Sequence, residues 1–228
     1  MKKELLVLFA KEPVCGQVKT RLGRDIGMNA SSSIYDLMLR HIINNVVSDK
    51  DYDTIIYKTS ESSKAYFDET TKGMIIKDQP EGNLGHKMHS VFKLGFAQNY
   101  ERICIIGTDC PDISHFDIQK TFELLKTCKL VLGPSKDGGY YLIGLSGFYP
   151  QLFEDIAWST ESVFSATLKI AESFGIKYKL LSVKTDIDEI TDLEKYIKKA
   201  PETKLALSFK EVMQDSILYS ATNDKVIT

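Results

Sequence analysis

The chain has 228 residues, of which 43% are apolar, so it can bury a full core and global disorder is not expected. Its 29 basic and 31 acidic residues give a net charge of −2, which offers no general attraction for nucleic acid or for an anionic membrane. The four cysteines include no pair at CxxC spacing, so no structural zinc site is expected. The apolar runs are too short for a secretory signal or a membrane span, and a cytoplasmic protein is predicted.

Strands and helices alternate along residues 1–199, which predicts one layered α/β domain. We divide the chain into a domain over 1–200 and a C-terminal helix and tail over 201–228. The predicted strands cover residues 5–10, 53–59, 73–77, 103–106, 129–133 and 177–183. The predicted helices run from a cap near Asn29 to 48, within 60–70, from the turn at 82–85 to 96, over 114–127, from a cap at Ser159 or Thr160, and over 205–213. A polar tail is predicted from 215 onwards.

Two carboxylates follow the central apolar run 103–106. Asp109 and Asp112 flank Pro111, which stiffens the backbone between them. Open parallel sheets place their ligand sites just beyond the carboxyl ends of the strands, where carboxylate oxygens could hold a divalent cation. The alternative is that both aspartates are ordinary turn residues, with Asp112 close to a helix start.

The loop after the first predicted strand is rich in cations. Lys11, Lys19 and Arg21 surround a turn that contains Gly16, an arrangement that suits a bound phosphate. The loop has neither Walker spacing nor the three glycines of a dinucleotide-binding turn. The alternative is a solvated basic loop without a ligand.

Three further turns could each be either purely structural or part of a ligand site. Gly82 and Gly85 precede a helix start whose free N–H groups could contact an anion or a base, or simply initiate the helix. Asp186 and Asp188 would point the same way on an extended backbone and could share a cation, unless Asp188 caps a helix. Asp137 begins a hairpin turn through two glycines, which is either purely structural or exposes Asp137 to a substrate.

Taken together, these motifs resemble a family of small bacterial glycosyltransferases, some linked with arsenosugar biosynthesis and radical-SAM genes, in the nucleotide-diphospho-sugar transferase superfamily. The resemblance covers about residues 4–195. It rests on Phe9, Ala10 and Lys11 with Pro13, Gly16 and 19–22, and on blocks 82–85, 107–112, 133–144 and 158–160.

The resemblance implies a GT-A-like, three-layer α/β/α sandwich with a mostly parallel central sheet, related to guanylyl- and cytidylyltransferases. It implies nucleotide contacts from Ala10, Lys11, Gly16, Lys19, Arg21, Asn83, Gly85 and Thr108. It also implies Mg²⁺ or Mn²⁺ at Asp109, completed by Asp186 or Asp188. Two departures from the family pattern are Asn83, where an aspartate is common, and the pair Glu189 and Ile190 before Thr191.

For the acceptor side, we expect Gly138, Gly139 and Tyr140 to line the pocket, with Trp158 near its rim. Asp137 is the candidate for accepting the acceptor's proton, and Asp109 for the metal chemistry. The predicted function is metal-dependent glycosyl transfer from a nucleoside diphosphate sugar to a small-molecule acceptor. The alternatives are nucleotidyl transfer from a nucleoside triphosphate and a non-catalytic nucleotide-sugar-binding protein. Because the first loop has one glycine, glycosyl transfer is favoured.

Overall fold

The computed structural model of the protein describes residues 2–48, 50–71 and 73–223. Seven strands form one sheet in the order β3-β2-β1-β4-β6-β5-β7. All neighbouring strands are parallel except that β6 runs antiparallel to both β4 and β5. The strands are β1 Glu4–Ala10, β2 Asp53–Lys58, β3 Ile75–Asp78, β4 Arg102–Ile106, β5 Leu130–Pro134, β6 Tyr140–Leu145 and β7 Tyr178–Leu180.

Helices connect most of the strands. They are α1 Thr20–Ile26, α2 Met28–Val46, α3 Lys64–Thr71, α4 Leu84–Ala97, α5 His115–Leu124, α6 Val163–Ser173, α7 Ile190–Lys199 and α8 Lys204–Asn223. A short 3₁₀ turn covers Pro150–Phe153. Within the described ranges, no helix has both the length and the apolar character that crossing a membrane requires.

The two faces of the sheet are buried separately, as the alternating side chains of a strand require. On one face, Leu6 and Leu8 of β1 pack in a core with residues of α2 and α5. On the other face, Leu5 and Val7 pack in a second core with Phe92 of α4 and residues of α6. Helices therefore cover both faces, and the predicted layered α/β fold with a mostly parallel sheet is confirmed.

Several helix boundaries differ from the prediction. Helix α2 begins at Met28 after Gly27, and no side chain caps it, so the expected cap at Asn29 was wrong. Helix α6 begins at Val163 after Ser162, so the expected cap at Ser159 or Thr160 was wrong; Ser159 instead turns the backbone through a positive φ of 65°. Helix α1 lies at the end of a segment that we predicted as loop.

The C-terminal half differs in two further places. Helix α7 is capped by Glu189 in a capping box with Asp192, so Asp188 is not the cap. Helix α8 reaches Asn223 instead of ending near residue 213, so part of the predicted tail is helical. The remaining predicted tail, 224–228, lies outside the described residues.

The antiparallel strand β6 explains how distant segments reach one edge of the sheet. Because β6 is reversed, the turn between β5 and β6 lies at the edge where β1 and β4 end. The segment that precedes α7 joins the same edge: Lys184 donates its backbone N–H to Pro134 O at 3.0 Å, and Ile187 donates to Asp109 O at 2.9 Å. Four loops therefore meet beyond the carboxyl ends of the parallel strands.

Candidate functional site

A cleft of about 770 Å³ opens at this edge of the sheet. It brings together most of the residues that the sequence predicted for the site, from segments more than 170 residues apart. Those that line it are Ala10, Lys11, Lys19, Arg21, Thr108, Asp109, Asp137, Gly139, Tyr140, Asp186 and Asp188. The convergence follows from the topology, since these residues belong to the end of β1 and the segments after β1 and β4, to the β5–β6 turn and the start of β6, or to the segment before α7 that joins the same edge.

Three predicted site residues make framework contacts instead of lining the cleft. Asn83 caps α4 by accepting the backbone N–H of His86 at 2.9 Å. Gly85 lies against the ring of Trp158, so closely that a Cβ at this position would be 2.1 Å from the indole. Trp158 in turn stacks on Phe153, with 6.5 Å between ring centroids. The block at 82–85 and the block at 158–160 therefore pack on each other.

Two predicted glycines also lie outside the lining. Gly138 has a φ of 88°, and a Cβ there would be 2.1 Å from the backbone oxygen of Glu161. Its own carbonyl accepts the N–H of Phe164 at 2.9 Å, which fastens the β5–β6 turn to the start of α6. Gly16 turns the loop after β1 with a φ of 77° and has open space around it.

Lys19 forms ion pairs with two carboxylates of the cleft. Its Nζ is 2.5 Å from Asp109 Oδ1 and 2.9 Å from Asp188 Oδ1. Burial opposes the charge, but the two carboxylates outweigh it and raise the pKa of the Lys19 ammonium. Its side chain is 3% exposed, whereas those of Asp109 and Asp188 are 52% and 43% exposed. The lysine thus lies beneath two carboxylates that face the cleft.

Asp186 is the cleft carboxylate with an unsatisfied oxygen. Its Oδ1 is buried and has no hydrogen-bond partner among the described residues. Burial, and after it the charges of Asp109, Asp137 and Asp188, raise the pKa of Asp186 to about 7. An unpaired oxygen in such a place is energetically costly, and an added cation would relieve the cost.

The carboxylates fit a cation that arrives with a phosphate ligand. Among the described residues, no three Asp, Glu, His or Cys side chains converge closely enough to hold a metal ion by themselves. Mg²⁺, however, is usually held by one or two carboxylates together with substrate phosphates and water. Asp109 and Asp188, with the unsatisfied oxygen of Asp186 nearby, offer the hard oxygen donors that such an ion prefers.

Tyr35 of α2 is a cleft residue that the sequence analysis missed. Its buried hydroxyl accepts the backbone N–H of Lys11 at 3.1 Å and lies 2.8 Å from Thr108 Oγ1. It therefore ties the loop after β1 to the loop after β4. Burial, followed by the charge of Asp109, raises the pKa of Tyr35 to about 12, so the phenol stays protonated at neutral pH. Nothing in the sequence separates this tyrosine from the apolar positions around it.

Gln79 and Lys87 were also missed, and they form the end of the cleft near β2 and β3. The Gln79 amide donates to Tyr57 O at 3.1 Å and to Ala10 O at 3.4 Å, and its oxygen accepts from Lys87 Nζ at 3.1 Å. Apolar side chains of Leu84 and Met88 line the same part of the cleft. The Lys87 ammonium, which has further N–H groups, can therefore donate to a ligand that lies beside these apolar side chains.

Asp137 serves the turn and faces the cleft at the same time. Its Oδ1 accepts from Ser135 Oγ and from the backbone N–H of Gly139 at 3.0 Å, the pattern by which an aspartate stabilises its own turn. Its side chain is nevertheless exposed and lines the cleft together with Asp109 and Asp186. The structural and the functional interpretation of Asp137 are therefore compatible.

The fold is similar to that of solved nucleotide-diphospho-sugar and cytidylyl transferases. A "putative nucleotide-diphospho-sugar transferase" from Desulfovibrio desulfuricans G20 has a TM-score of 0.87 at 23% identity, over 95% of this chain and 99% of that one. A cytidylyltransferase from Leptospira borgpetersenii has a TM-score of 0.58 at 13% identity, over 97% and 96%. The 2-phospho-L-lactate guanylyltransferase of Methanocaldococcus vulcanius is 24% identical over 193 residues, which are 83% of this chain and 82% of that one.

The chain belongs to the family described as "Uncharacterized protein conserved in bacteria (DUF2064)", whose model matches residues 42–160. The predicted resemblance to nucleotide-diphospho-sugar transferases is thus confirmed at the level of fold. The relatives named above are transferases, as the predicted enzyme class requires. The specific link with arsenosugar biosynthesis and radical-SAM genes stays a prediction.

Proposed function

We propose that the protein is a cytoplasmic, metal-dependent glycosyltransferase that uses a nucleoside diphosphate sugar and a small-molecule acceptor. One observation carries the proposal: a single cleft is lined both by cationic Lys11, just after β1, and Arg21, in α1, and by the carboxylates of Asp109, Asp186 and Asp188. A diphosphate binds to such cations but is repelled by such carboxylates. The two anionic groups can share a cleft only through a bridging cation, and Mg²⁺ or Mn²⁺ has the required charge and oxygen preference.

The two ends of the cleft suggest where the donor lies. The ammonium of Lys87 and the remaining acceptor position of the Gln79 oxygen suit the edge of a nucleobase, and apolar Leu84 and Met88 suit its face. The diphosphate would then lie over the carboxyl ends of β1 and β4, within reach of Arg21. Asp109 would hold a divalent cation there, and such an ion would supply charge neutralisation for the departing diphosphate.

The acceptor would occupy the other half of the cleft, near Asp137, Gly139 and Tyr140. In the transfer step an acceptor hydroxyl oxygen forms a bond to the anomeric carbon, and the bond from that carbon to the diphosphate oxygen breaks. Asp137 takes the hydroxyl proton, for which it must lie within hydrogen-bond reach of the attacking oxygen. The exposed carboxylate of Asp137 on the cleft wall supports this role.

Nucleotidyl transfer is the second candidate, because the similar protein from M. vulcanius is a guanylyltransferase. The charge distribution favours glycosyl transfer. The cleft residues contributed by the β5–β6 turn and by the segment before α6 include Asp137 and Glu161 with Ser159 and Thr160, and no Lys or Arg is among the described lining residues of these two segments. An acceptor that carried a phosphate would meet only like charge there, which is destabilising.

Product analysis separates the candidates. The purified protein would be incubated with UDP-, GDP-, ADP- and CDP-sugars, with Mg²⁺ or Mn²⁺ and with EDTA, and free nucleoside diphosphate would be measured. Metal-dependent release by donor hydrolysis or transfer supports the proposal, whereas pyrophosphate release from a nucleoside triphosphate supports the alternative. Metal-dependent binding without turnover over broad acceptor pools would indicate a binding protein. If no nucleotide shifted the melting temperature in a metal-dependent way, all three candidate functions would be wrong.

A further inference from the structure

We propose that Lys19 is a stand-in for the metal: without ligand, its ammonium occupies the position between Asp109 and Asp188 that a divalent cation takes when the nucleotide binds. On binding, the lysine moves to the phosphates and leaves the carboxylates to the ion. This inference rests on the proposed function and gives Lys19 a role in the order of binding. It makes metal and nucleotide binding depend on each other through one side chain.

The Lys19 ammonium lies between the carboxylates of Asp109 and Asp188, as a metal ion would lie between its ligands. Its Nζ contacts one oxygen of Asp109 and one of Asp188, at 2.5 and 2.9 Å. The ammonium is buried at the base of the cleft, while both carboxylates are about half exposed above it. Lys11, Arg21 and Lys87 also line the cleft but make no ion pair with its carboxylates among the described contacts.

A divalent ion and the ammonium cannot both use this position, because cations so close together repel strongly. The incoming diphosphate removes the conflict by offering Lys19 charge-assisted hydrogen bonds of similar strength. A lysine suits such an exchange, since its flexible four-carbon stem lets Nζ move while the backbone stays fixed at the start of α1. Metal alone should therefore bind weakly, and metal with nucleotide much more tightly.

A second buried lysine of the same fold provides a matched control. Lys184 Nζ lies 2.9 Å from Asp117 Oδ2 and 2.7 Å from the Asp112 carbonyl oxygen, and its side chain is also largely buried. Neither of these partners lines the cleft. Removing the charge of Lys184 thus perturbs a comparable ion pair without freeing any carboxylate of the proposed site.

The test measures Mn²⁺ binding without nucleotide, by electron paramagnetic resonance of the free ion, for the full-length wild type, Lys19→Met and Lys184→Met. We expect Lys19→Met to bind Mn²⁺ at least about tenfold more tightly than the wild type, within the usual range for two coupled sites. Lys184→Met should match the wild type. Adding Asp109→Asn to Lys19→Met should remove the gain, which excludes adventitious binding elsewhere on the surface.

The failures of the two proposals are distinguishable. If the wild type binds Mn²⁺ together with a nucleotide but Lys19→Met gains no affinity for Mn²⁺ alone, the stand-in role is wrong and the proposed function stands. If the wild type binds no Mn²⁺ with any nucleoside diphosphate sugar or triphosphate, the proposed function is wrong. Lys19→Gln, whose neutral amide can still donate a hydrogen bond to one carboxylate, replaces Lys19→Met if the latter does not fold.

Discussion

Replacing Asp186 with asparagine should stabilise the protein at neutral and alkaline pH. In the wild type the carboxyl group is buried beside Asp109, Asp137 and Asp188, and Lys19 compensates only part of the negative charge. Ionising Asp186 therefore costs folding free energy, whereas an amide of the same shape carries no charge. The enzyme accepts this cost, as functional sites commonly do, for the sake of a ligand.

The magnitude follows from the difference in pKa. The pKa of Asp186 is about 7 in the fold, against an ordinary value of 3.8. Each pH unit of that difference is worth about 1.4 kcal/mol, so full ionisation costs the fold up to about 4 kcal/mol, and about 2–4 once relaxation is allowed for. The unfolded chain releases its proton near pH 4 and the folded chain near pH 7. The wild type thus loses stability relative to Asp186→Asn as the pH rises between these values, and the difference is constant above them.

Urea unfolding in EDTA at several pH values, followed by the fluorescence of Trp158, the single tryptophan, measures the difference. The gap between Asp186→Asn and the wild type should be small near pH 4, widen up to about pH 7 and level off towards pH 8. Asp188→Asn is the control: its carboxylate is half exposed and paired with Lys19, so its loss should bring no stabilisation. A gap of equal size at pH 5 and pH 8 would refute the reasoning.

Three further outcomes are expected. Arg21→Ala should weaken nucleotide binding by about 1.5–3 kcal/mol in calorimetry, the usual contribution of a charge-assisted hydrogen bond, and unchanged affinity would mean that Arg21 does not contact phosphate. Asp137→Asn, which can still accept the hydrogen bonds of the turn, should keep its melting temperature and nucleotide affinity but lose turnover by about a hundredfold or more, and full activity would exclude a role as base. Gly85→Ala should lower the free energy of unfolding by about 1–3 kcal/mol because its Cβ would collide with Trp158, whereas Gly107→Ala, with nothing within 4 Å, should not; equal effects would contradict the packing argument.

The convergence of the site residues at one edge of the sheet could be predicted from the sequence, because it depends on strand topology more than on side-chain contacts. Apolar runs that end in Ala10 and Ile106 predict parallel strands, and the ends of such strands share one edge of a sheet. That is sufficient to bring Lys19 and Asp109 into one cleft. The tight turn at Asp137 could be predicted as well, since its glycines tolerate positive φ.

Contacts between side chains could not be predicted, because they depend on distances that no local pattern encodes. The pairing of Lys19 with both Asp109 and Asp188 is one example, and the burial of Asp186 is another. The packing of Gly85 against Trp158 is a third: the resemblance implied a nucleotide contact for Gly85, and Trp158 was expected at the pocket rim, but the two residues contact each other. Helix starts without a side-chain cap, as at Gly27, also leave no signal.

The backbone between the two late aspartates of the cleft rests on the C-terminal helix. Ile187 separates Asp186 from Asp188 and is buried in one cluster with Leu205 and Phe209 of α8. A chain shortened at residue 203 would keep every strand and every residue that lines the cleft. It would lose the side chains of α8 that pack against the segment 186–188. The smallest fragment with an intact candidate site therefore extends well beyond Asp188, the last residue that lines the cleft.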